Sequence, residues 1–149
     1  MIEGILITKR DQISDDRGKI MHMVRNDDKI FKKFGEIYFS CIYPHKIKAW
    51  HMHKKMTLNY AIISGQLKIV LFDDRKKSST KGTLQEIYMS TENYFLLSVP
   101  PLIWNGFKGI GTETSIVANC SDIPHDKNEM VRMNPNSKKI PYKWELKHR

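Results

Sequence analysis

An all-β architecture, a sandwich or barrel of short strands, is what this sequence predicts, and three observations carry the prediction. Seven runs of β-branched and aromatic residues recur along the chain, turn residues punctuate them at short intervals, and no long amphipathic helix competes. The first run, residues 18–24, follows the turn Asp15-Asp-Arg-Gly18. The second and third cover 36–43 and 57–63. Ser64-Gly65, set between two apolar runs, reads as a hairpin turn leading into the fourth run, 66–72. A polar stretch from Asp73 to Gly82 separates this from the run 84–89. The run 94–99 ends at Pro100-Pro101, and Gly109-Ile-Gly111 precedes the last run, 115–120. From Asp126 onward the chain is polar and carries Pro135 and Pro141, so it is expected to wrap as loop or short helix, with Trp144 anchoring it to the barrel.

A chain of 149 residues with 40% hydrophobic composition forms one domain over 1–149 and buries a core without staples. Cys41 and Cys120 sit in apolar runs without Cys-x-x-Cys spacing and read as buried thiols of a reducing compartment. The opening MIEGILITKRDQ has neither a basic start nor a sustained apolar segment, and no run approaches the roughly 18 apolar residues of a membrane span. A cytoplasmic protein with no membrane contact is expected. The net charge of +9 attracts anions, yet the basic pairs Lys32-Lys33, Lys54-Lys55, Lys76-Lys77 and Lys138-Lys139 alternate with acids, and no nucleic-acid motif is present. This pattern describes a solvated basic surface, excludes nucleic acid as a partner, and leaves room for a small anionic ligand.

The stretch from Lys48 to Gly65 carries the chemistry. In a strand, residues two apart share a face, so His51 and His53 point one way and Trp50 and Met52 the other. Two imidazoles on one strand face, flanked by basic residues, mark a site rather than packing. Lys48 has the wrong parity to join them unless the strand bends before Trp50.

The spacing His51-x-His53, four residues, Leu58, six residues, Gly65 resembles the first cupin motif, and Pro100-x-Leu-x-x-Asn105 resembles the second. The resemblance implies a cupin double-stranded β-helix, or jelly roll, here with a short C-terminal extension. Metal-binding cupins carry Glu where this chain has Leu58 and His where it has Asn105. The remaining two imidazoles fall short of the three or four protein ligands a transition metal takes, so neither metal nor cofactor is expected.

Within the cupins the chain resembles the dTDP-4-dehydrorhamnose 3,5-epimerase family and the related dTDP-sugar 3,4-ketoisomerases. The likeness rests on Asp16-Arg-Gly18, on Lys48-Ala-Trp-His51, on residues 99–107 (VPPLIWNGF), and on Ser121-Asp122, residues 131–135 (VRMNP) and 140–144 (IPYKW). It implies that His51 is the base and that Arg17 helps hold the nucleotide diphosphate, lent to the neighbour's pocket in a homodimer. The family's lysine position holds Leu58, its tyrosine position falls at Ala118 or Asn119, and its supporting aspartate corresponds to Asn134. Residues 51–55 (HMHKK) resemble the ketoisomerase pattern, in which both histidines move protons, and Tyr38 lies near a tyrosine of that group.

A 4-keto sugar loses a proton from C3 or C5 to a base near neutrality, needs donors for the enolate oxygen, and needs an acid to return the proton. His51 and His53, with Tyr60 and Tyr38 as phenolic acids, are the candidate catalytic residues. Arg17, Lys48, Asn105, Asn119 and Asn134 are the candidate contacts to substrate. The expected function is epimerisation at C3 and/or C5 of a nucleotide-linked 4-keto-sugar for surface polysaccharide. A 3,4-ketoisomerase and a non-catalytic sugar-binding cupin are the alternatives.

Overall fold

The strand-forming runs pair as antiparallel ladders whose alternate residues are apolar, and this decides where the core lies. In the computed structural model, which describes residues 1–145, twelve strands and no helix occur among the described residues. They are β1 (Leu6–Lys9), β2 (Gln12–Asp15), β3 (Gly18–Met21), β4 (Glu36–Ile42), β5 (Ile47–His53), β6 (Leu58–Ser64), β7 (Gln66–Asp73), β8 (Leu84–Ser90), β9 (Phe95–Val99), β10 (Ile103–Gly109), β11 (Ser115–Ser121) and β12 (Met130–Arg132). One five-stranded sheet has the order β1-β9-β6-β11-β4 and the second β12-β5-β10-β7-β8, while β2 and β3 form a separate ribbon. Two antiparallel sheets sharing a core is the jelly roll expected of a cupin. Leu58, Tyr60, Ile62, Leu97 and Val117 enter that core from the first sheet, and Leu67, Ile69, Leu71, Ile103 and Phe107 from the second. The opposite parity of the second sheet buries Trp50, Val70, Phe72 and Trp104 against Ile140 and Trp144 of the C-terminal segment.

Several expectations need correction. Ser64-Gly65 is a tight reversal with φ +76° at Gly65, but it is not a hairpin, because β6 pairs with β9 and β11 whereas β7 pairs with β8 and β10. The turn carries the chain from one sheet to the other. A Cβ at Gly65 would lie 2.7 Å from Ser115 Cα, so the close approach of a distant strand also demands glycine. Cys41 is exposed and Cys120 half-buried, since both share the outward face of β4 and β11 with Ile37 and Phe39. The C-terminal segment adds a short strand, β12, outside the sequence expectation, and continues as an irregular strap, the loop of the two expected forms. Trp144 anchors it as expected, buried with ring centroids 4.9 Å from both Trp50 and Tyr142.

Candidate active site

Alternation along β5 sends Trp50 and Met52 into the outer cluster and turns His51 and His53 toward the space between the sheets. Lys48 joins them through a bulge. The β5–β10 ladder pairs His51 with Asn105 and Lys48 with Phe107, so that two residues, Ala49 and Trp50, oppose the single Gly106, which reverses parity at Ala49-Trp50. Gly106 makes room for it, since a Cβ there would come within 2.3 Å of the Ala49 Cβ.

The resulting cavity, about 540 Å³, opens at the edge where β4 of the first sheet faces β5 and β12 of the second. The second sheet contributes Lys48, His51, His53 and Arg132, and the first contributes Glu36, Tyr38 and Tyr60. His125 lies at the rim. The two imidazoles stand edge to face, 6.2 Å between centroids, with Phe107 tilted against His51 at 5.8 Å. Lys48 Nζ donates to Ser40 Oγ across the sheets at 2.6 Å.

Burial holds the His51 imidazole at about 3, well below its ordinary value, and neighbouring His53, Lys48 and Arg132 oppose its cation further. The ring is therefore neutral, with an unprotonated lone pair, in surroundings that disfavour the cation it would become. Burial pushes the Tyr60 hydroxyl well above its usual value, so it keeps its proton, which it donates to Asn105 Oδ1 at 3.4 Å. Tyr38 is raised by burial too, with the Asn119 amide beside it countering. His53 is buried and its Nδ1 lies 2.6 Å from Oε2 of buried Glu129. Burial alone would raise that carboxyl, but the Lys55 and Met56 backbone N–H groups and His53 outweigh it and hold Glu129 below the usual range.

Of the residues singled out from the sequence, the fold brings His51, His53, Tyr38, Tyr60 and Lys48 to one cavity and leaves four outside its wall. Asn105 is fully buried behind it, its amide donating to the carbonyls of His51 and Ile103 at 3.2 and 3.4 Å. Asn119 is fully buried as well, its Oδ1 accepting from the Asn59 N–H at 2.8 Å. Asn134 sits exposed in a turn and caps the Asn136 N–H. Arg17 occupies the tip of the β2–β3 ribbon, exposed and paired with Asp15 at 2.6 Å. Sequence reading missed Glu129 and Arg132. Strand parity around a three-residue β12 was the one available signal, and the polar tail concealed it.

Leu58 lies in the core, and among the described residues no three His, Cys, Asp or Glu side chains converge as a metal site requires.

The chain is similar to several known proteins. A dTDP sugar isomerase structure from Desulfovibrio desulfuricans superposes with a TM-score of 0.93 at 40% identity, covering 96% of this chain and 92% of that one. A spore coat polysaccharide biosynthesis protein of Bacillus subtilis is 31% identical across 95% of this chain and 91% of its own length. A probable low-salt glycan biosynthesis epimerase of Haloferax volcanii is 29% identical across 87% of this chain and 81% of its own. The jelly roll is thus shared with a dTDP sugar isomerase. One family profile matches residues 1–149 throughout, and the chain belongs to the dTDP-4-dehydrorhamnose 3,5-epimerase family.

Proposed function

We propose that the protein epimerises C3 and/or C5 of a nucleotide-linked 4-keto-sugar destined for a surface polysaccharide. One observation carries this reading: the imidazoles of β5 and the phenols of β4 and β6 enter one cavity from opposite sheets. Inversion needs a base on one face of the sugar and an acid on the other. Neutral His51 takes the proton, and Tyr60 or Tyr38 returns one from across the cavity. The register supports Tyr38 in particular. The resemblance puts the family's tyrosine at Ala118 or Asn119; the cross-strand partner of Asn119 on β4 is Tyr38, which at that position displaces the phenol by one strand.

Lys48 and Arg132 offer cationic groups to the diphosphate. A bound diphosphate would offset Lys48 and Arg132, the two smaller contributions to the lowered His51 value, while burial, the largest, would remain. A second copy of the chain completes this reading as a homodimer. The β2–β3 ribbon leaves Ile13 and Ile20 exposed at 57% and 62%, and docking that ribbon on a neighbour would bring Arg17 to the neighbour's cavity. The free thiols of Cys41 and Cys120 suit a reducing compartment, and the cytoplasm is the proposed location. Among the described residues, no helix is long and apolar enough to cross a membrane.

The shared wall of His51 and His53 favours one second reading, a 3,4-ketoisomerase that carries a proton between adjacent carbons on one sugar face. Incubation with nucleotide 4-keto-sugars in heavy water decides between them. Deuterium at C3 or C5 with the ketone still at C4 is the expected result, and a 3-keto product establishes the isomerase. His51→Asn should lower exchange by about 10²–10⁴-fold while leaving nucleotide affinity nearly intact. Binding without exchange at any carbon would leave a sugar-binding cupin.

A further inference from the structure

Glu129 has no place in the proton transfers described so far, yet it is among the most thoroughly held side chains near the cavity. It precedes β12 and is pinned to the end of β5 through its main chain and its carboxylate. The Lys54 N–H donates to the Glu129 carbonyl at 3.0 Å, and Oε1 accepts the N–H groups of Lys55 at 2.6 Å and Met56 at 2.9 Å. Only Oε2 remains, and it meets His53 Nδ1 at 2.6 Å with both side chains about 95% buried. A carboxylate that already accepts two main-chain hydrogen bonds has no proton to offer, so the proton between the two groups belongs to the imidazole. That leaves Nε2 for the cavity that His53 lines.

We propose that Glu129 is a positioning residue for catalysis: it fixes a proton on His53 Nδ1, presents Nε2 to the sugar, and balances the charge of the His53 imidazolium, making His53 a second proton carrier beside His51. The inference rests on the epimerase reading for its substrate. As His51 takes the proton from the carbon beside the carbonyl, the C–H electron pair moves toward oxygen. His53, which takes up a proton from solvent at Nε2 while Glu129 holds Nδ1–H, gives that Nε2 proton to the oxygen, producing an enol and a neutral ring still bonded to Glu129 through Nδ1–H. When a phenol returns a proton to the carbon from the other face, the enol proton goes back to Nε2. His51 then loses its proton to solvent, and the phenolate regains one. A carboxylate behind an imidazole sets its tautomer and stabilises its cation in the same way wherever the pair occurs.

Imidazole nitrogen NMR on the full-length protein without substrate tests the geometric half. His53 should carry its proton on Nδ1 at neutral pH, and a neutral ring protonated on Nε2 alone overturns the proposal. Glu129→Gln tests the catalytic half. Its amide oxygen can still accept from Lys55 and Met56, while its N–H can donate to Nδ1 and drive the ring proton to Nε2. The expected result is that tautomer switch together with a kcat loss on the order of 10²-fold at nearly constant KM. Glu129→Asp, which keeps the carboxylate, should recover most of the loss. A folded Glu129→Gln protein with unchanged tautomer or wild-type kcat overturns the proposal. If the wild type exchanges no carbon of any 4-keto nucleotide sugar, the functional reading fails instead, and the wild-type nitrogen spectrum still decides the role of Glu129.

Discussion

His51 and His53 are two residues apart, yet their surroundings treat charge oppositely: Lys48 and Arg132 stand near the first, and a buried carboxylate touches the second. The difference is measurable as stability. His51 titrates at about 3 in the folded chain against an ordinary 6.5, so between those values the unfolded chain binds a proton that the folded chain refuses. Stability therefore rises with pH across that window and is lost as pH falls from 6.5 toward 3, by up to about 1.4 kcal/mol per pH unit for this one group. Denaturant midpoints of His51→Asn should fall less steeply than those of wild type over the same window. Parallel pH curves would show that the ring is solvated in both states. The histidine pair was legible because strand parity is a property of local sequence. Glu129 was not, since its partner lies 76 positions away and neither residue announces the other.

At the scale of strands, the bulge in β5 and the glycine opposite it form one device that sets which way Lys48 faces. Gly106→Ala would force a methyl against Ala49 at 2.3 Å and leave it 3.0 Å from the Trp144 ring. We expect a loss of about 1–3 kcal/mol, typical of overpacking, and a raised KM as Lys48 is displaced. Wild-type stability and KM in that variant would mean that the bulge is soft. The sequence made most strands readable because their apolar runs are short and turn-bounded. It hid β10, where Trp104-Asn-Gly-Phe107 mixes polar and flexible residues whose faces only the bulge explains. Ser64-Gly65 misled for another reason: local turn chemistry specifies a reversal, while the partner of each flanking strand is chosen by distant pairing.

For the whole molecule, the resemblance to metal cupins is answered by two side chains. Leu58 packs in the core and Asn105 spends its amide on main-chain carbonyls, so exhaustive chelation should leave epimerisation unchanged. Activity lost to a chelator and restored by a divalent ion would reverse this view. The crossing at Gly65 reaches further than the turn itself. Because consecutive strands, the β2–β3 and β7–β8 pairs apart, enter different sheets, most ladders join segments far apart in the chain: β1 waits for β9, β4 for β11, and β5 for β10 and β12. Such a high contact order places folding on the millisecond-to-second scale typical of β sandwiches rather than the microseconds of helical bundles. The cavity draws on residues from Glu36 to Met133, so it is complete only when strands of both sheets, β12 included, have paired. A nascent chain that has not yet released β12 from the ribosome holds both histidines and neither the glutamate nor the arginine that would put them to use.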